Sequence, residues 1–502
     1  MTSTTAETPV VTPPHVTALA QRLRAAAAVY LDAPPPQEED PGADAGLVLD
    51  ALVREVARRA DPAGAWLTWT AVAAAFPTAD QVRTTLRTAQ LVTPADAAIW
   101  LLEQCAASAY DPESFSREMD VVVGAVVPSV DYCARVEHHT GIQRVVRETM
   151  PRWAAAHEVL PVAWTDSGSI MRRLDDVESD RVLRWNEQLH LGRTAAGDTA
   201  PRLVVPWRSN VVLIEVPLPQ LYPALLALAQ YSGNTTTVVG YDAIPVVSTD
   251  LRPYTEPDHY VQYLSVVKHA ARISGISVSA AQEFRGFAQT LPSQGLPAPQ
   301  VTEAFLPGEA PHATGPLVPT GSRPRVLSVG SQEAHKNHLS LVHAAEVLWR
   351  EGLEFEVEML GRAGWGADRL EARVRELADA GRPIRFRRGV GDEALWDSYR
   401  SARVTVFTSL HEGYGLPVAE SLACGTPVIT TNYGSTREIA DLGGCLVVDP
   451  RVDQELVDAL RAILTDDELR ERLAREARER PVRTWSDYAE ELWDQLVDER
   501  TA

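Results

Sequence analysis

Cysteine and lysine are both scarce in this sequence of 502 residues. Its four cysteines show no CxxC spacing and no matched histidine pair, which excludes a thiolate zinc finger and a disulfide framework. A reducing cytoplasm is therefore the expected compartment. The cysteines are Cys105, Cys133, Cys424 and Cys445. Lys268 and Lys336 are the only lysines among 47 basic residues, so a lysine at a candidate site is conspicuous.

Long hydrophobic runs and an excess of positive charge are also missing. The most apolar stretch, residues 210–230, is interrupted by Glu215 and by prolines, so no transmembrane helix is expected. No basic start followed by an apolar run opens the sequence, so no secretory signal is expected. With 47 basic and 68 acidic residues the net charge is −21, which argues against non-specific nucleic-acid binding because that requires a basic face.

The first part of the chain, residues 1–116, is predicted to be a tail and a small helical region. Residues 1–16 are rich in Thr and Pro and are predicted to be disordered. Residues 34–41 form an acidic, proline-rich linker after a short predicted helix over 16–31. Apolar residues then recur at helical spacing to about residue 108. This region contains no catalytic constellation, and it is a candidate for self-association.

From residue 117 the pattern changes to alternating strands and helices. The apolar run 120–127 is typical of a strand buried on both faces of a parallel sheet. Further strands are predicted at 203–205, 211–216, 236–239 and 276–278, and helices at 141–156 and 257–273. This alternation predicts a Rossmann-like α/β domain over residues 117–320.

The same pattern restarts after a loose segment, 308–324, that is rich in Pro, Gly and Thr. Strands are predicted at 325–330, 355–360, 384–387, 404–408, 427–430 and 446–448. Helices are predicted at 339–351, 455–479 and 485–499. A second Rossmann-like domain over residues 321–502 follows, with terminal helices. Because ligands of such sheets lie at the carboxyl ends of the strands, a cleft between the two domains is the expected site.

The most informative motif is the segment 409–420. Its glycines, Gly413 and Gly415, follow a predicted buried strand and precede a helix with Pro417 near its first position. Glycines let a ligand approach the backbone closely, and a helix N-terminus offers unpaired N–H groups and a positive dipole. The motif therefore predicts a cradle for a diphosphate.

Two carboxylates flank this predicted cradle. Glu412 precedes the turn, and Glu420 lies about one helical turn beyond Pro417. A carboxylate repels phosphate but accepts hydrogen bonds from a vicinal diol, which suits the ribose and the hexose of a nucleotide sugar. Two glutamates eight residues apart also occur by chance on solvated helices. The surrounding strand, glycine turn and proline-started helix favour the functional interpretation.

A second loop, residues 330–338, follows the first strand of the second predicted domain. A doubly wound fold places its phosphate-binding turn at this position. Lys336 could neutralise a leaving diphosphate there, and the alternative is a solvated loop lysine. His335 is interpreted equally well as a second phosphate contact or as an ordinary loop residue.

Two loops of the first predicted domain complete the candidate site. In residues 138–144, Gly141 is expected to permit a close turn, although a purely structural loop is the competing interpretation. In residues 241–245, Asp242 either orients or deprotonates an acceptor hydroxyl or simply caps a turn. The sequence contains no Asp-x-Asp triplet and no HExxH motif, so no metal and no other cofactor are expected.

The second half of the sequence resembles glycosyltransferase family 4, which has the GT-B fold. The motifs that carry the resemblance are Glu412–Glu420, the loop 330–337, and residues 425–429 and 434–438. Residues 140–145 and 241–245 resemble motifs of bacterial polysaccharide-type, mannosyltransferase-like members. The resemblance extends over residues 119 to about 497.

This resemblance implies retaining transfer from a nucleotide sugar, with Lys336 on the diphosphate, Glu412 on the transferred sugar and Glu420 on the ribose. The remaining candidate donor-binding residues are His335, Gly330, Gly413, Tyr414, Gly415, Leu416, Val390 and Gly361. The candidate acceptor-loop residues are Gly141, Ile142, Arg144 and Tyr241. Two positions depart from the family pattern. His335 stands where arginine is usual, and Tyr241 stands where histidine is frequent.

The leading hypothesis is thus a retaining, metal-independent hexosyltransferase that transfers a sugar from a nucleotide donor to a hydroxyl acceptor in glycan or polysaccharide assembly. The alternatives are a nucleotide-sugar epimerase or hydrolase on the same fold, and a binding or scaffolding protein without catalysis. UDP-, GDP- and dTDP-linked donors are all compatible with the sequence.

Overall fold

The computed structural model describes residues 13–108, 112–199, 202–310 and 323–498. The chain divides into two compact units, Met1–Val238 with Gln262–Arg272, and Val239–Val261 with Ile273–Ala502. Most of the predicted tail, residues 1–16, and most of the loose segment 308–324 lie outside the described residues. In the described ranges, no helix combines the length and apolar character needed to cross a bilayer. The predicted domain boundaries at residues 117 and 321 stay predictions.

Five helices form the start of the first unit. They are α1 (Pro14–Tyr30), α2 (Pro41–Arg59), α3 (Pro62–Ala73), α4 (Ala79–Leu91) and α5 (Pro94–Ala107). Helix α4 begins where Thr78 and Gln81 form a reciprocal capping box, because each side chain satisfies a backbone N–H that the first turn leaves unpaired. The helical region predicted from the apolar periodicity is confirmed.

Helix α1 is fixed to the edge of the sheet that follows. The Gln21 amide pairs with the backbone of Met119 in both directions, at 3.1 and 2.9 Å. The buried Arg22 guanidinium donates to the carbonyls of Ala71, Phe115 and Arg117 at 2.7–2.8 Å. These contacts join α1 to α3 and to the chain that enters the first strand, so the helical region packs against the sheet of the same unit.

The remaining elements that begin in the first unit alternate between strand and helix. They are β1 (Glu118–Val123), β2 (Val126–Ser129), α6 (Asp131–Arg135), α7 (Gly141–Ala156), β3 (Val162–Trp164), β4 (Met171–Arg173), α8 (Asp176–Leu183), β5 (Arg202–Trp207), β6 (Asn210–Leu213), α9 (Tyr222–Tyr231) and β7 (Thr235–Gly240). The strand order is β1-β5-β4-β3-β2-β6-β7. Strand β4 is antiparallel to both neighbours. The single strand predicted over 120–127 is wrong because Gly124, at φ 64°, turns the chain between β1 and β2.

The next elements along the chain are α10 (Ile244–Val247), α11 (Glu256–Val267), β8 (Arg272–Gly275), α12 (Val278–Ala288) and β9 (Gln300–Glu303). The strand predicted at 276–278 is wrong. The hydroxyl of Ser277 accepts a hydrogen bond from the Ala280 N–H at 2.9 Å, and this cap starts α12 at Val278.

The second unit contains a six-stranded, fully parallel sheet. Its elements are β10 (Arg325–Val329), α13 (His338–Arg350), β11 (Glu356–Leu360), α14 (Ala367–Asp379), β12 (Ile384–Arg387), α15 (Asp392–Ser401), β13 (Val404–Phe407), α16 (Leu416–Ala423), β14 (Val428–Thr431), α17 (Gly434–Ala440), β15 (Cys445–Val448), α18 (Asp453–Thr465), α19 (Asp467–Arg478) and α20 (Trp485–Leu496). The strand order is β12-β11-β10-β13-β14-β15. The helix predicted over 455–479 is two helices, because Asp466 caps α19 through the Leu469 N–H at 2.9 Å.

Candidate active site

The glycine turn before α16 is built so that no side chain fits at two of its positions. Gly415 has φ 106°, and a Cβ there would lie 2.7 Å from the Thr436 methyl group. A Cβ at Gly413 would lie 2.3 Å from the Tyr241 carbonyl oxygen. The turn therefore delivers the chain to Leu416 and Pro417, which open α16 without a side-chain cap, so no side chain covers the positive end of the helix dipole.

Lys336 and Glu412 form an ion pair at this turn, with Nζ 2.6 Å from Oε1. The Ser409 hydroxyl also donates to Glu412. Burial raises the pKa of the Glu412 carboxyl, but the Lys336 ammonium and the hydrogen bonds from Lys336 and Ser409 act together against burial, and the pKa lies below its usual range. The Lys336 ammonium also lies 5.3 Å from the centre of the Phe407 ring. Glu412 is therefore an ionised, positioned acceptor at neutral pH.

The loop that carries Lys336 begins at a close backbone crossing. Gly330 has φ 145° and Gly361 has φ 152°. A Cβ at Gly361 would lie 1.8 Å from the Gly330 carbonyl oxygen, so position 361 accepts only glycine without a backbone shift. Val390, after β12, packs against the apolar cluster that contains Leu327 and Leu360.

His335 is buried next to Lys336. Its burial and the neighbouring ammonium lower the pKa of His335 to about 4, so the ring is neutral at physiological pH. Its Nδ1 lies 3.4 Å from Arg252 Nη1 and 3.5 Å from Glu333 Oε2. Arg252 in turn donates to Glu333 Oε2 and to Glu256 Oε2, both at 2.6 Å.

Asp242 lies against the turn from the other side, with an oxygen 3.2 Å from where a Gly413 Cβ would be. Its carboxylate accepts a hydrogen bond from the Ile244 N–H at 3.1 Å, and Tyr260 donates to its carbonyl. Burial and the nearby Glu283 raise the pKa of Asp242 to about 6. A carboxyl with this pKa can take up a proton near neutral pH.

A hydrogen-bonded chain joins Ser248, His411 and Glu283. Ser248 Oγ lies 2.7 Å from His411 Nδ1, and His411 Nε2 lies 2.6 Å from Glu283 Oε1. Burial opposes protonation of His411, but Glu283, with Asp242 and Glu412, raises the His411 pKa above its ordinary value. Sequence analysis missed Ser248, Glu283 and Arg252, because these residues carry no motif and lie far along the chain from their partners.

Glu420 and Tyr414 are both buried. Glu420 accepts a hydrogen bond from the Tyr399 hydroxyl at 2.7 Å, and Tyr414 donates to the Leu306 carbonyl. The predicted contact between Glu420 and the ribose of a nucleotide sugar stays a prediction. Burial raises the pKa of Tyr414 above its usual range, so its hydroxyl stays protonated as a donor.

The candidate acceptor-loop residues fall in different units. Gly141, Ile142 and Arg144 form the first turn of α7 in the first unit, where the Thr140 N–H donates to the Gln143 side chain at 3.3 Å. Tyr241 belongs to the second unit and is buried. Their contribution to acceptor binding stays a prediction.

Comparison with known sequences finds a family match in the second half of the chain. Residues 316–480 match the family described as "Glycosyl transferases group 1". The chain is 26% identical over 334 residues to the serotype-specific mannosyltransferase WbdA of Escherichia coli, covering 62% of this chain and 38% of that protein. It is 34% identical over 146 residues to the O-antigen chain mannosyltransferase B of Escherichia coli, covering 29% and 38%. The chain thus spans about two fifths of the length of these curated relatives.

Comparison with solved structures identifies the fold. A sucrose-phosphate synthase from Thermosynechococcus elongatus superposes with a TM-score of 0.51 at 17% identity, covering 74% of this chain and 97% of that chain. At this identity the likeness concerns the fold alone. The chain has the GT-B fold, preceded by a helical N-terminal region.

Proposed function

We propose that this chain is a retaining, metal-independent hexosyltransferase that transfers a sugar from a nucleotide donor to a hydroxyl acceptor. The Lys336–Glu412 ion pair at the start of α16 carries the proposal. An ammonium beside a helix N-terminus favours a leaving diphosphate, and an ionised carboxylate accepts hydrogen bonds from sugar hydroxyls. The family match over 316–480 supports the same reaction class.

In the proposed reaction the acceptor hydroxyl attacks the anomeric carbon on the face from which the diphosphate leaves. The bond from the anomeric carbon to the phosphate oxygen breaks, and the diphosphate takes the electron pair and the acceptor proton. Lys336 stabilises the charge that develops on the leaving oxygen. Glu412 holds the sugar, and Asp242, with a pKa of about 6, orients the acceptor hydroxyl, whose proton goes to the diphosphate.

The proposed donor carries mannose, and the proposed acceptor is a growing glycan in the cytoplasm. Two relatives named as mannosyltransferases support mannose, and the O-antigen chain in one of those names supports a polysaccharide product. The unpaired state of all four cysteines is compatible with a reducing compartment.

Nucleotide release from a panel of UDP-, GDP- and dTDP-linked sugars tests the proposal. Slow hydrolysis of one donor by the purified chain, lost in Glu412→Gln, is the expected result. Glu438→Gln is a control, because Glu438 accepts from the Val278 and Ser279 N–H groups at the start of α12 and has a structural role. Stabilisation by a donor without turnover would favour a nucleotide-sugar-binding protein. An absence of both binding and turnover would contradict the proposal.

A further inference from the structure

The loop around Lys336 has little positive charge to offer a diphosphate. Lys336 is already paired with Glu412, and His335 is neutral at physiological pH because burial lowers its pKa to about 4. Glu333 adds a negative charge to the same loop, since a hydrogen bond from Ser331 and the Arg252 and Lys336 cations lower its pKa against the effect of burial. A diphosphate carries several negative charges, so a site for it requires a further cation.

Arg252 lies where that cation is required. It follows α10 on the segment that also carries Asp242, and its guanidinium packs against the Lys336 loop. Arg252 Nη1 is 2.6 Å from Glu333 Oε2 and 3.4 Å from His335 Nδ1. The side chain is largely buried, with 22% of it exposed. A guanidinium is charged at every physiological pH and presents five donors in a planar fork that matches phosphate oxygens.

We propose that Arg252 is the second cation of the diphosphate site, held by Glu333 and Glu256 until a donor binds. This inference rests on the proposed function, because it assigns a further residue to the same nucleotide-sugar site. Binding of the donor exchanges the Glu333 contact for a charge-assisted contact with phosphate oxygens, and Glu333 is the anion that competes with the ligand.

The same exchange links the two sides of the site. Arg252 and Asp242 lie ten positions apart on one segment of the second unit, Val239–Val261. A phosphate contact at Arg252 fixes that segment while Asp242 rests against the Gly413 turn. The residue proposed to contact the diphosphate and the residue proposed to face the acceptor therefore belong to one segment.

A purely structural role predicts a different result. If Arg252 only clamps its segment to the Lys336 loop, then Glu333→Gln breaks the clamp and harms ligand binding as much as Arg252→Gln does. If Arg252 binds the diphosphate, Glu333→Gln removes a competitor and leaves binding equal or tighter. Opposite effects of the two variants thus separate a ligand contact from a clamp.

Titration calorimetry with UDP, GDP and dTDP, and with the corresponding nucleosides, tests the assignment on the full chain. For the diphosphate that binds the wild type, Arg252→Gln is expected to weaken binding at least tenfold and to leave nucleoside binding unchanged. Glu333→Gln is expected to bind as tightly as the wild type or more tightly. Arg373→Gln is the matched control, since Arg373 on α14 is also held by two glutamates, Glu376 of the same helix and Glu346 of α13.

Two results would overturn the assignment. One is an Arg252→Gln variant that binds the diphosphate as tightly as the wild type, and the other is a Glu333→Gln variant that loses as much affinity as Arg252→Gln. If Arg252→Gln does not fold, Arg252→Lys provides the comparison, because a lysine keeps the charge and loses the fork geometry, so weaker diphosphate binding is again expected. A wild type that binds none of the three diphosphates contradicts the proposed function itself.

Discussion

Lys336 Nζ lies 2.6 Å from Glu412 Oε1, although 76 positions separate the two residues in the sequence. One residue comes from the loop after β10, and the other comes from the turn after β13. These strands are neighbours in the parallel sheet, so their carboxyl ends meet at one edge. The ion pair is therefore a direct consequence of strand order.

Replacement of Lys336 by Gln is expected to weaken nucleoside diphosphate binding by at least roughly tenfold, or about 1.4 kcal/mol. The variant removes the ammonium and leaves the Glu412 carboxylate facing the phosphates without a counter-charge. Calorimetry with the diphosphate that binds the wild type measures the effect. Lys268→Gln, at the only other lysine in the sequence, is the control and is expected to bind normally. Equal affinities of the two variants would contradict the role given to Lys336.

Gly361→Ala is expected to reduce the free energy of unfolding by about 2–3 kcal/mol or more. The added Cβ would lie 1.8 Å from the Gly330 carbonyl oxygen, at a φ of 152° that side chains rarely adopt. Gly391→Ala is the control, because Gly391 has φ −72° and open space around its Cβ position. Urea unfolding of both variants checks the prediction, and a fully stable Gly361→Ala would show that the two loops do not cross so closely.

The free energy of unfolding of Asp242→Asn, compared with that of the wild type, is expected to be more favourable at pH 8 than at pH 4. The folded state raises the pKa of Asp242 to about 6 from an ordinary value near 3.8, so ionisation disfavours folding as the pH rises through this window. The difference is expected to be on the order of 1–3 kcal/mol. Urea unfolding at both pH values measures it, with the exposed Asp250→Asn as control. An unchanged difference between the two pH values would contradict burial of this carboxyl.

His411→Gln is expected to destabilise the protein more at pH 5.5 than at pH 9. The His411 pKa is raised in the folded state, chiefly by Glu283 acting against burial. A raised histidine pKa contributes stability that is fully present below about pH 6.5 and is lost as the pH rises through the folded pKa. Chemical unfolding of the variant and of a control, His343→Gln, at the two pH values tests the sign. A larger loss at pH 9 would contradict the His411–Glu283 ion pair.

The second sheet was largely predictable from the sequence because its strands are short apolar runs bounded by turn residues. β12 has the predicted bounds, β14 is shifted by one residue at both ends, and each of the other four strands differs from prediction by one residue at one end. In the first unit, a run of apolar residues did not reveal the turn at Gly124. Strands β3 and β4 were missed, since three-residue segments carry too little periodicity to be recognised.

Some residues of the candidate site could also be predicted from the sequence, and others could not. Glu412, Lys336 and the glycines lie in local motifs, so their spacing alone predicted a phosphate cradle. Arg252 and Glu283 lie 81 and 128 positions from Glu333 and His411, and only tertiary packing brings these pairs together. The neutral state of His335 follows from burial, which no sequence pattern reports.

The most direct test of the central claim is time-resolved proton NMR of the sugar that the chain releases from the donor it turns over. The account predicts that the first sugar released has the anomeric configuration of the donor, and that Glu412→Gln releases none under the same conditions. Release of the opposite anomer would contradict the retaining mechanism. Equal release by Glu412→Gln would contradict the role given to this carboxylate, and with it the proposed active site.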